Sequence, residues 1–425
     1  MLLKLKKISF NEYLILLLPF FLISGPFLPD LVCTYLGLYV LINSIKERNF
    51  FFYKNFIFYY LIFIFIYLNI NSLFSFNPFI SFKSSLPYIR IIFFVFALSF
   101  FLKKNINLFL YFFISSVISF AFLFFDSIYQ VITGDNLLGK NIDILRISSF
   151  FGDELIMGSF VIRLLPIIIG TLYMTSLKQK EVLCFFIILV SGILIILSGE
   201  RTAFFLYLIF FIFYFYFFRK QIIYFIIIFS LCLIILSIVK PKPFERIINQ
   251  TFQQHKQTEI FISYRHQLHF LTAYLMFEDN KIFGHGIKSF RHLCDSHKYE
   301  NIIEKKKLDD LRNNNSGSYI IEFKNGCNNH PHNIYFEFLA ELGIVGFLIF
   351  SFIFFYVSLQ LMRLIIKFKK KKKDRNYFSL LFITYAVFQS MFPFITSGSY
   401  FNNWLLIVNY LPIGFYLPLL KIKNV

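Results

Sequence analysis

Charge is scarce in this chain. Asp, Glu, Lys and Arg together make 15% of its 425 residues, and Asp plus Glu number only 23. That is far below the share a soluble domain carries, so a water-soluble globular protein is excluded. Histidine is missing from the first 254 residues and the last 93: all eight, His255, His266, His269, His285, His292, His297, His330 and His332, fall in one stretch. No small-x-small cleavage site follows the basic start MLLKLKK, and a second apolar segment follows at once, which predicts an uncleaved first span rather than a removed signal peptide. No internal repeat relates the two halves of the chain, and charges sit at the ends of apolar stretches rather than within them, which argues against a transporter or flippase.

What is abundant is apolar. Hydrophobic residues make 58% of the chain, with 65 Phe and a single Trp. They form stretches of roughly 17 to 25 residues, long enough to cross a bilayer core as helix. The pattern predicts spans over 11–28, 30–45, 56–72, 87–102, 106–125, 157–177, 182–198, 202–218, 221–239, 334–361, 377–395 and 403–420. The expected fold is an all-α integral membrane protein of about twelve transmembrane helices. Residues 1–239 hold spans one to nine, 240–333 form one large loop between spans nine and ten, and 334–425 hold the last three.

The placement of Lys and Arg orients this array, because short cytoplasmic loops carry them in excess. With the N-terminus inside, each inner segment is basic, from Lys4, Lys6 and Lys7 to the KFKKKKK run before span eleven. The net charge of +19 is then mostly topology. The Lys run abuts a span and faces anionic lipid, not nucleic acid.

The large loop therefore faces outside. It holds Cys294 and Cys327, which can pair in an oxidising compartment and tie the middle of the loop to the base of span ten. A helix is predicted around Ser263 to Asp279, where Tyr264, Leu268, Leu271 and Leu275 recur at helical spacing, with Arg265, His269 and Thr272 on another face. In NKIFGHGIKSF, Gly284 and Gly286 permit a tight turn; no strand precedes them and no third Gly follows, so this is not a dinucleotide motif. The tract NNNSGS reads as an exposed lobe.

Eight of the twelve arginines lie outside. Arg offers a planar, permanently charged fork suited to phosphate. In SGERTA two spans meet with almost no loop, so Arg201 begins a helix at the membrane surface, where the helix dipole also attracts anions. Arg90 and Arg163 lie at outer span ends. Asp126, Gln130, Asp135, Arg146, Asp153 and Glu154 crowd the segment between spans five and six. In CNNHPHNIYFEFLAELGIVGF, residues 327–347, Pro331 disfavours helix at His330 and Asn333 is placed as the N-cap of span ten, with His332 at its mouth. Glu337 and Glu341 are expected to keep the first turns at the water interface. HPH and HQLH do not make a complete zinc set, so no metal is expected. Tyr264, Tyr319 and Tyr335 are the tyrosines placed to stack on a sugar.

Three of these stretches together resemble the O-antigen ligase and O-antigen polymerase family of bacterial envelope glycosyltransferases. SGERTAFF is similar to the family's Ser-Gly-x-Arg span start, with Glu200 where the family often has a small residue. ISYRHQLHFLTAYLMFEDNKIFGHGIKSF resembles its Arg helix followed by G-x-G, and HPHNIYFEFLAELGIVGF resembles its His-Asn-x-Tyr helix ending in E-x-G-x-x-G. The resemblance implies transfer of a glycan from undecaprenyl diphosphate to an acceptor hydroxyl at the periplasmic face of the inner membrane, in lipopolysaccharide or surface polysaccharide synthesis, with no cofactor, metal or nucleotide sugar. The acceptor would be lipid A core for a ligase, the favoured reading, or a carrier-linked repeat for a polymerase. By resemblance Arg201 and Arg265 neutralise the diphosphate and His332 orients or deprotonates the acceptor hydroxyl. Arg291, His330, Arg146, Arg163, Asn333 and Tyr335 would surround them as substrate-binding residues.

Overall fold

A computed structural model describes residues 8–140, 146–239, 241–247, 263–296, 298–299, 326–371 and 374–420. Tyr319, NNNSGS, the side chain of Tyr264 and two of the histidines, His255 and His297, lie outside the described residues. The helices are α1 Phe10–Ile23, α2 Phe27–Lys46, α3 Phe56–Leu73, α4 Pro78–Ser85, α5 Tyr88–Lys104, α6 Leu108–Thr133, α7 Met157–Met174 and α8 Lys180–Ser198. There follow α9 Arg201–Phe217, α10 Ile222–Val239, α11 Pro241–Ile247, α12 Tyr264–Asp279, α13 Phe290–Leu293, α14 Ile334–Lys371, α15 Arg375–Ser390 and α16 Asn403–Leu420. The protein is all-helical, and the described residues form no sheet.

Each of the twelve predicted apolar stretches coincides with a helix. Nine of these, among the described residues, are long and apolar enough to cross a membrane, with α4 and α5 counted together. Helices α1, α9 and α15 are shorter, at 14, 17 and 16 residues. The centre is built by α5, α7 and α16, whose side chains are buried around most of their circumference. Helix α10 turns Ile223, Tyr224, Ile227, Leu231, Ile234 and Ile238 outward, an exposed apolar surface that only a lipid environment tolerates at this extent. Asn, Ser and Asp side chains close the helix starts: Asn55 accepts from Phe58 N, Ser263 from His266 N and Asp374 from Asn376 N.

Helix ends that the Lys and Arg count puts on one side do meet in space. The outer ends of α1, α7 and α16 line one cavity with the predicted loop, and the inner ends of α7, α8, α9, α14 and α15 line another.

Three local expectations change. Helix α6 runs past Phe125 to Thr133 and ends on left-handed Gly134, so Asp126 and Gln130 belong to its last turns rather than to a linker. They face inward and hold the following strap: Asp126 accepts from Leu137 N at 2.8 Å and Ser149 Oγ at 2.5 Å, and Gln130 Oε1 accepts from Ser149 N at 2.9 Å. Arg90 forms an ion pair with Asp30 at 2.8 Å across α5 and α2. In α12 the buried stripe is Leu268, His269, Thr272, Ala273 and Met276, so the face with His269 and Thr272 turns inward and Arg265 stays exposed. Hydrophobic spacing misplaced that stripe because its centre is two polar residues, His269, which bonds Gly326 O, and Thr272.

Candidate active site

Helix α14 is broken near its start. Gly343 has φ 65°, ψ −167°, a left-handed backbone inside an otherwise regular helix. A break in a span frees backbone groups that lipid cannot satisfy, so it must be covered by protein. The Lys281–Gly286 turn supplies the cover: Ile344 N donates to Lys281 O, His285 N to Ala340 O and Gly286 N to Glu341 O, at 2.8, 3.1 and 2.8 Å. The two chains lie so close that a Cβ on Gly343 would sit 2.3 Å from Ile282 O, and one on Gly284 2.5 Å from Gly343 N. The G-x-G and E-x-G-x-x-G stretches are thus two halves of one contact, buttressed from α3 by Tyr67 Oη donating to Leu342 O and Asn71 Nδ2 to Phe283 O.

Glu337 and Glu341 turn into this contact and are buried, not at the water interface. Glu341 accepts from Lys288 N at 2.8 Å and Phe290 N at 3.2 Å, starting α13. Glu337 accepts from Ser399 Oγ at 2.5 Å and Tyr400 N at 2.8 Å, binding the α15–α16 connection. Helical spacing of four put both carboxylates on one face; which face was decided by the loop segments that need acceptors.

On this frame sits a row of histidines. Ring centroids are 4.2 Å apart for His330–His332, 5.1 Å for His266–His332 and 5.2 Å for His269–His332. His332 has φ 58°, a strained conformation for a non-glycine residue, held by Ser397 N donating to its carbonyl at 2.8 Å. The next residue, Asn333, caps α14: its Oδ1 accepts from Tyr335 N and Phe336 N, and its Nδ2 donates to Pro393 O and Ile395 O. Burial, then the charges of His330, His266, His269 and Arg265, push His332 down to about 3. His266 falls to about 4 by burial and by His269, Arg201 and Arg265, and His330 to about 4 by burial and by Lys288, Arg291 and His269. Burial also lowers His269. The row is therefore neutral near pH 7.

Hydrogen bonds assign the ring nitrogens. A carbonyl only accepts, so His269 donates from Nδ1 to Gly326 O at 2.8 Å and His330 from Nε2 to Ser397 O at 3.2 Å. Asn328 Oδ1 accepts from Asn329 N, which orients its Nδ2 toward His332 Nε2 at 2.9 Å; that nitrogen is the lone-pair side of His332. A disulfide joins Cys294 to Cys327 and so fastens α13 beside the Gly326–His332 segment.

The SGERTA tip adjoins the row. Glu200, one residue before α9, accepts from Gly158 N at 2.7 Å and Ser159 Oγ at 2.6 Å, closing the N-terminus of α7 with a carboxylate. Burial raises its pKa even so. Arg146 donates to Leu155 O at 2.6 Å and Ser198 O at 3.1 Å, stapling the strap to α8, and Arg246 donates to Gly199 O at 3.2 Å. Arg201 opens α9 within electrostatic reach of Arg146, Arg246 and His266.

His330 also lines a cavity of about 550 Å³, whose lining residues Ser159 and Thr396 bond to Glu200 and Thr202 on either side of Arg201. Arg163, Lys288, Arg291 and His330 line it, with Leu22, Phe150, Phe151, Trp404 and Leu405 as an apolar wall. Of the residues expected at the site, His332 and His330 stand together, with Arg201 and Arg265 toward His266 and Arg163 and Arg291 in the cavity. Arg146, Asn333 and Tyr335 are engaged in holding backbone: Tyr335 Oη donates to Met391 O at 2.7 Å inside the bundle. Glu337, Glu341, Lys288, His266 and Asn328 were missed as site residues. Only the HQLH spacing pointed at His266, and nothing local marks the others, whose importance comes from segments far apart in the chain.

Among the described residues no group of three or more His, Cys, Asp or Glu is arranged to hold a metal ion. No curated protein matches the chain. Residues 185–351, from α8 to beyond the break in α14, match the family model described as O-Antigen ligase (Wzy_C), so this part of the chain is similar to that family.

Proposed function

We propose that the protein is a glycosyltransferase that moves a glycan from undecaprenyl diphosphate to a hydroxyl of lipid A core at the periplasmic face of the inner membrane. The observation that carries the reading is the neutral histidine row centred on His332, with Arg201 and Arg265 in electrostatic reach of it. The acceptor hydroxyl takes the place of Asn328 Nδ2 at His332 Nε2 and gives up its proton there. Its oxygen bonds to the anomeric carbon, the bond from that carbon to the diphosphate oxygen breaks, and the electron pair leaves on the diphosphate. Arg201 and Arg265 stabilise this developing charge. An anion so near raises the proton affinity of His332, so a ring that is neutral at rest becomes a competent base as the substrates arrive.

The test is complementation with His332→Ala, Arg201→Ala and Arg265→Ala in hosts lacking the native ligase or polymerase. Restored attachment of long chains by the wild type supports a ligase; restored chain length alone supports a polymerase. Normal transfer by all three variants, inserted at wild-type levels, removes the assignment.

A further inference from the structure

Outside the twelve predicted spans, the outer side of the protein carries an apolar patch. Phe74, Phe76 and Phe79, in the connection from α3 through α4, and Ile282 and Phe283, in the turn that covers the break in α14, are 50% to 78% exposed. They form one surface because the two segments are bonded to each other. Phe76 N donates to His285 O at 2.8 Å and Ser81 Oγ to Ile287 O at 3.0 Å, and Ser75 leaves no room for a Cβ on Gly286. A contiguous exposed patch of large apolar side chains marks an interaction surface.

Helix α4 shows which medium the patch faces. Its serines turn into the protein, where Ser81 bonds Ile287 O and Ser85 Oγ accepts from Ser72 Oγ at 3.0 Å, while Phe79 turns out. Water would favour the reverse, hydroxyls outward and the ring inward. Lys83 is exposed with Phe79, its Nζ 4.4 Å from the centre of that ring. A ring among acyl chains with a lysine reaching past it to the phosphates suits the boundary between hydrocarbon and headgroups.

The patch also continues a lipid-facing surface. On α3, Phe56, Tyr59, Phe63, Ile66, Ile70 and Leu73 recur at helical spacing and are all exposed, and on α14 Leu348, Phe352, Phe355 and Leu359 do the same. The two stripes lie side by side: Tyr60 Oη donates to Ile349 O at 2.6 Å, and the Phe56 and Tyr60 rings meet those of Tyr356 and Phe352. The 18 residues of α3 rise about 27 Å, close to the roughly 30 Å of a hydrocarbon core. Leu73 therefore stands at the outer edge of that core, and Phe74, Phe76 and Phe79 follow directly.

We infer that this patch is an interfacial anchor: Phe74, Phe76, Phe79, Ile282 and Phe283 are immersed in the outer boundary of the bilayer, where their partner is phospholipid and Lys83 reaches the phosphates. The anchor presses the Lys281–Gly286 turn against α14. The cover of the break at Gly343 is then held from one side by backbone bonds and from the other by lipid. A sugar chain is a poorer occupant, since phenyl and aliphatic side chains offer its hydroxyls no hydrogen-bond partner. A second copy of the chain would have to displace lipid from the two stripes as well. The anchor does not depend on the reaction catalysed.

The chain has a single Trp, the buried Trp404, so added tryptophans report their own surroundings once the wild-type signal is subtracted. Phe79→Trp and Phe283→Trp are placed in the full chain in phosphatidylcholine nanodiscs, with Leu231→Trp on the exposed face of α10 as lipid reference and exposed His292→Trp as water reference. Both reporters should lose fluorescence to phosphatidylcholine brominated near the headgroup, as Leu231→Trp does, and resist iodide. Quenching by iodide as strong as at His292→Trp, with none by brominated lipid, overturns the inference and leaves the patch to a soluble partner. Shelter from both quenchers also overturns it and puts a second copy of the chain there. Phe76→Asp with Phe79→Asp should speed hydrogen exchange at the His285 and Gly286 amides by at least about tenfold, with α7 unchanged. Unchanged exchange at those amides removes the clamp on the turn. The Trp reporters decide the lipid contact even if the Asp pair fails to insert.

Discussion

At one end of the helix bundle cations lie among histidines and buried carboxylates; at the other they lie on helix ends and aromatic rings. Lys180 donates to Tyr173 O and Thr175 O at the C-terminus of α7, while Lys103 sits over Phe52 and Arg219 over Tyr216. Such contacts anchor a helix at an interface and ask nothing of the cation's geometry. At the outer end key polar groups take specific partners from distant segments, as Glu341 has Lys288 and Phe290, or the His332 carbonyl has Ser397 N. A basic composition therefore conceals two populations: one that sets topology and one that builds a site.

That comparison breaks most visibly in activity. His332→Ala, Arg201→Ala and Arg265→Ala should each lower glycan transfer by about 10²- to 10⁴-fold. Arg219→Ala with Lys220→Ala, at the inner end, should stay within about twofold. Transfer assays on membranes matched for inserted protein read both, and equal losses at the two ends would erase the distinction.

Gly343→Ala should come next, costing about 3 kcal/mol or more, because it needs a left-handed backbone and puts a methyl against Ile282 O. A large fall in melting temperature and in folded yield is expected; an unchanged protein would show that the break in α14 is not fixed by the Lys281–Gly286 turn. Removing the Cys294–Cys327 link by double Ser substitution should cost about 2–4 kcal/mol on the loop-closure account. The measurement is the melting temperature of detergent-solubilised protein with and without reductant. Wild type should fall on reduction and the double Ser variant should not respond. Asn333→Ala should cost about 1 kcal/mol through the lost cap of α14, read by the same melting assay.

The smallest change expected is in the pH profile of transfer. With His332 at about 3 and His266 and His330 at about 4, these three rings stay unprotonated in the substrate-free protein from pH 8 to pH 5, so they add no fall in kcat/KM over that range. A kcat/KM that halves near pH 6.5 would mean that His332 in the substrate-free protein titrates as it would in water. Stability moves differently. The unfolded histidines bind protons below about 6.5 while the folded ones do not, so stability present above that pH is lost progressively as pH falls toward 4. Melting at pH 7.5 and pH 5 checks the sign.

Much of the fold was legible because membrane helices are written in length and hydropathy. The α12 helix, the Asn333 cap and the Gly284–Gly286 turn were also local, since caps and left-handed turns depend on residues within a few positions. The site was legible in part. His332, Arg201 and Arg265 were marked by motifs, but Asn333 and Tyr335 serve the backbone of α14, and Arg146 staples a strap. Glu337, Glu341 and Lys288 carried no mark, because a charged side chain near a membrane surface reads as solvated until a distant segment is known to cover it.

The sequence by itself determined that this chain is a bundle of apolar helices and which ends share a side, since these follow from local hydropathy and from the Lys and Arg excess. Only the tertiary structure decided that the break at Gly343 is covered by the G-x-G turn, that the glutamates face inward, and that the histidines of two distant segments gather in one row. Each of those facts is a contact between segments dozens of residues apart. Such contacts are set by which buried polar groups find partners, a condition that no stretch of sequence contains alone.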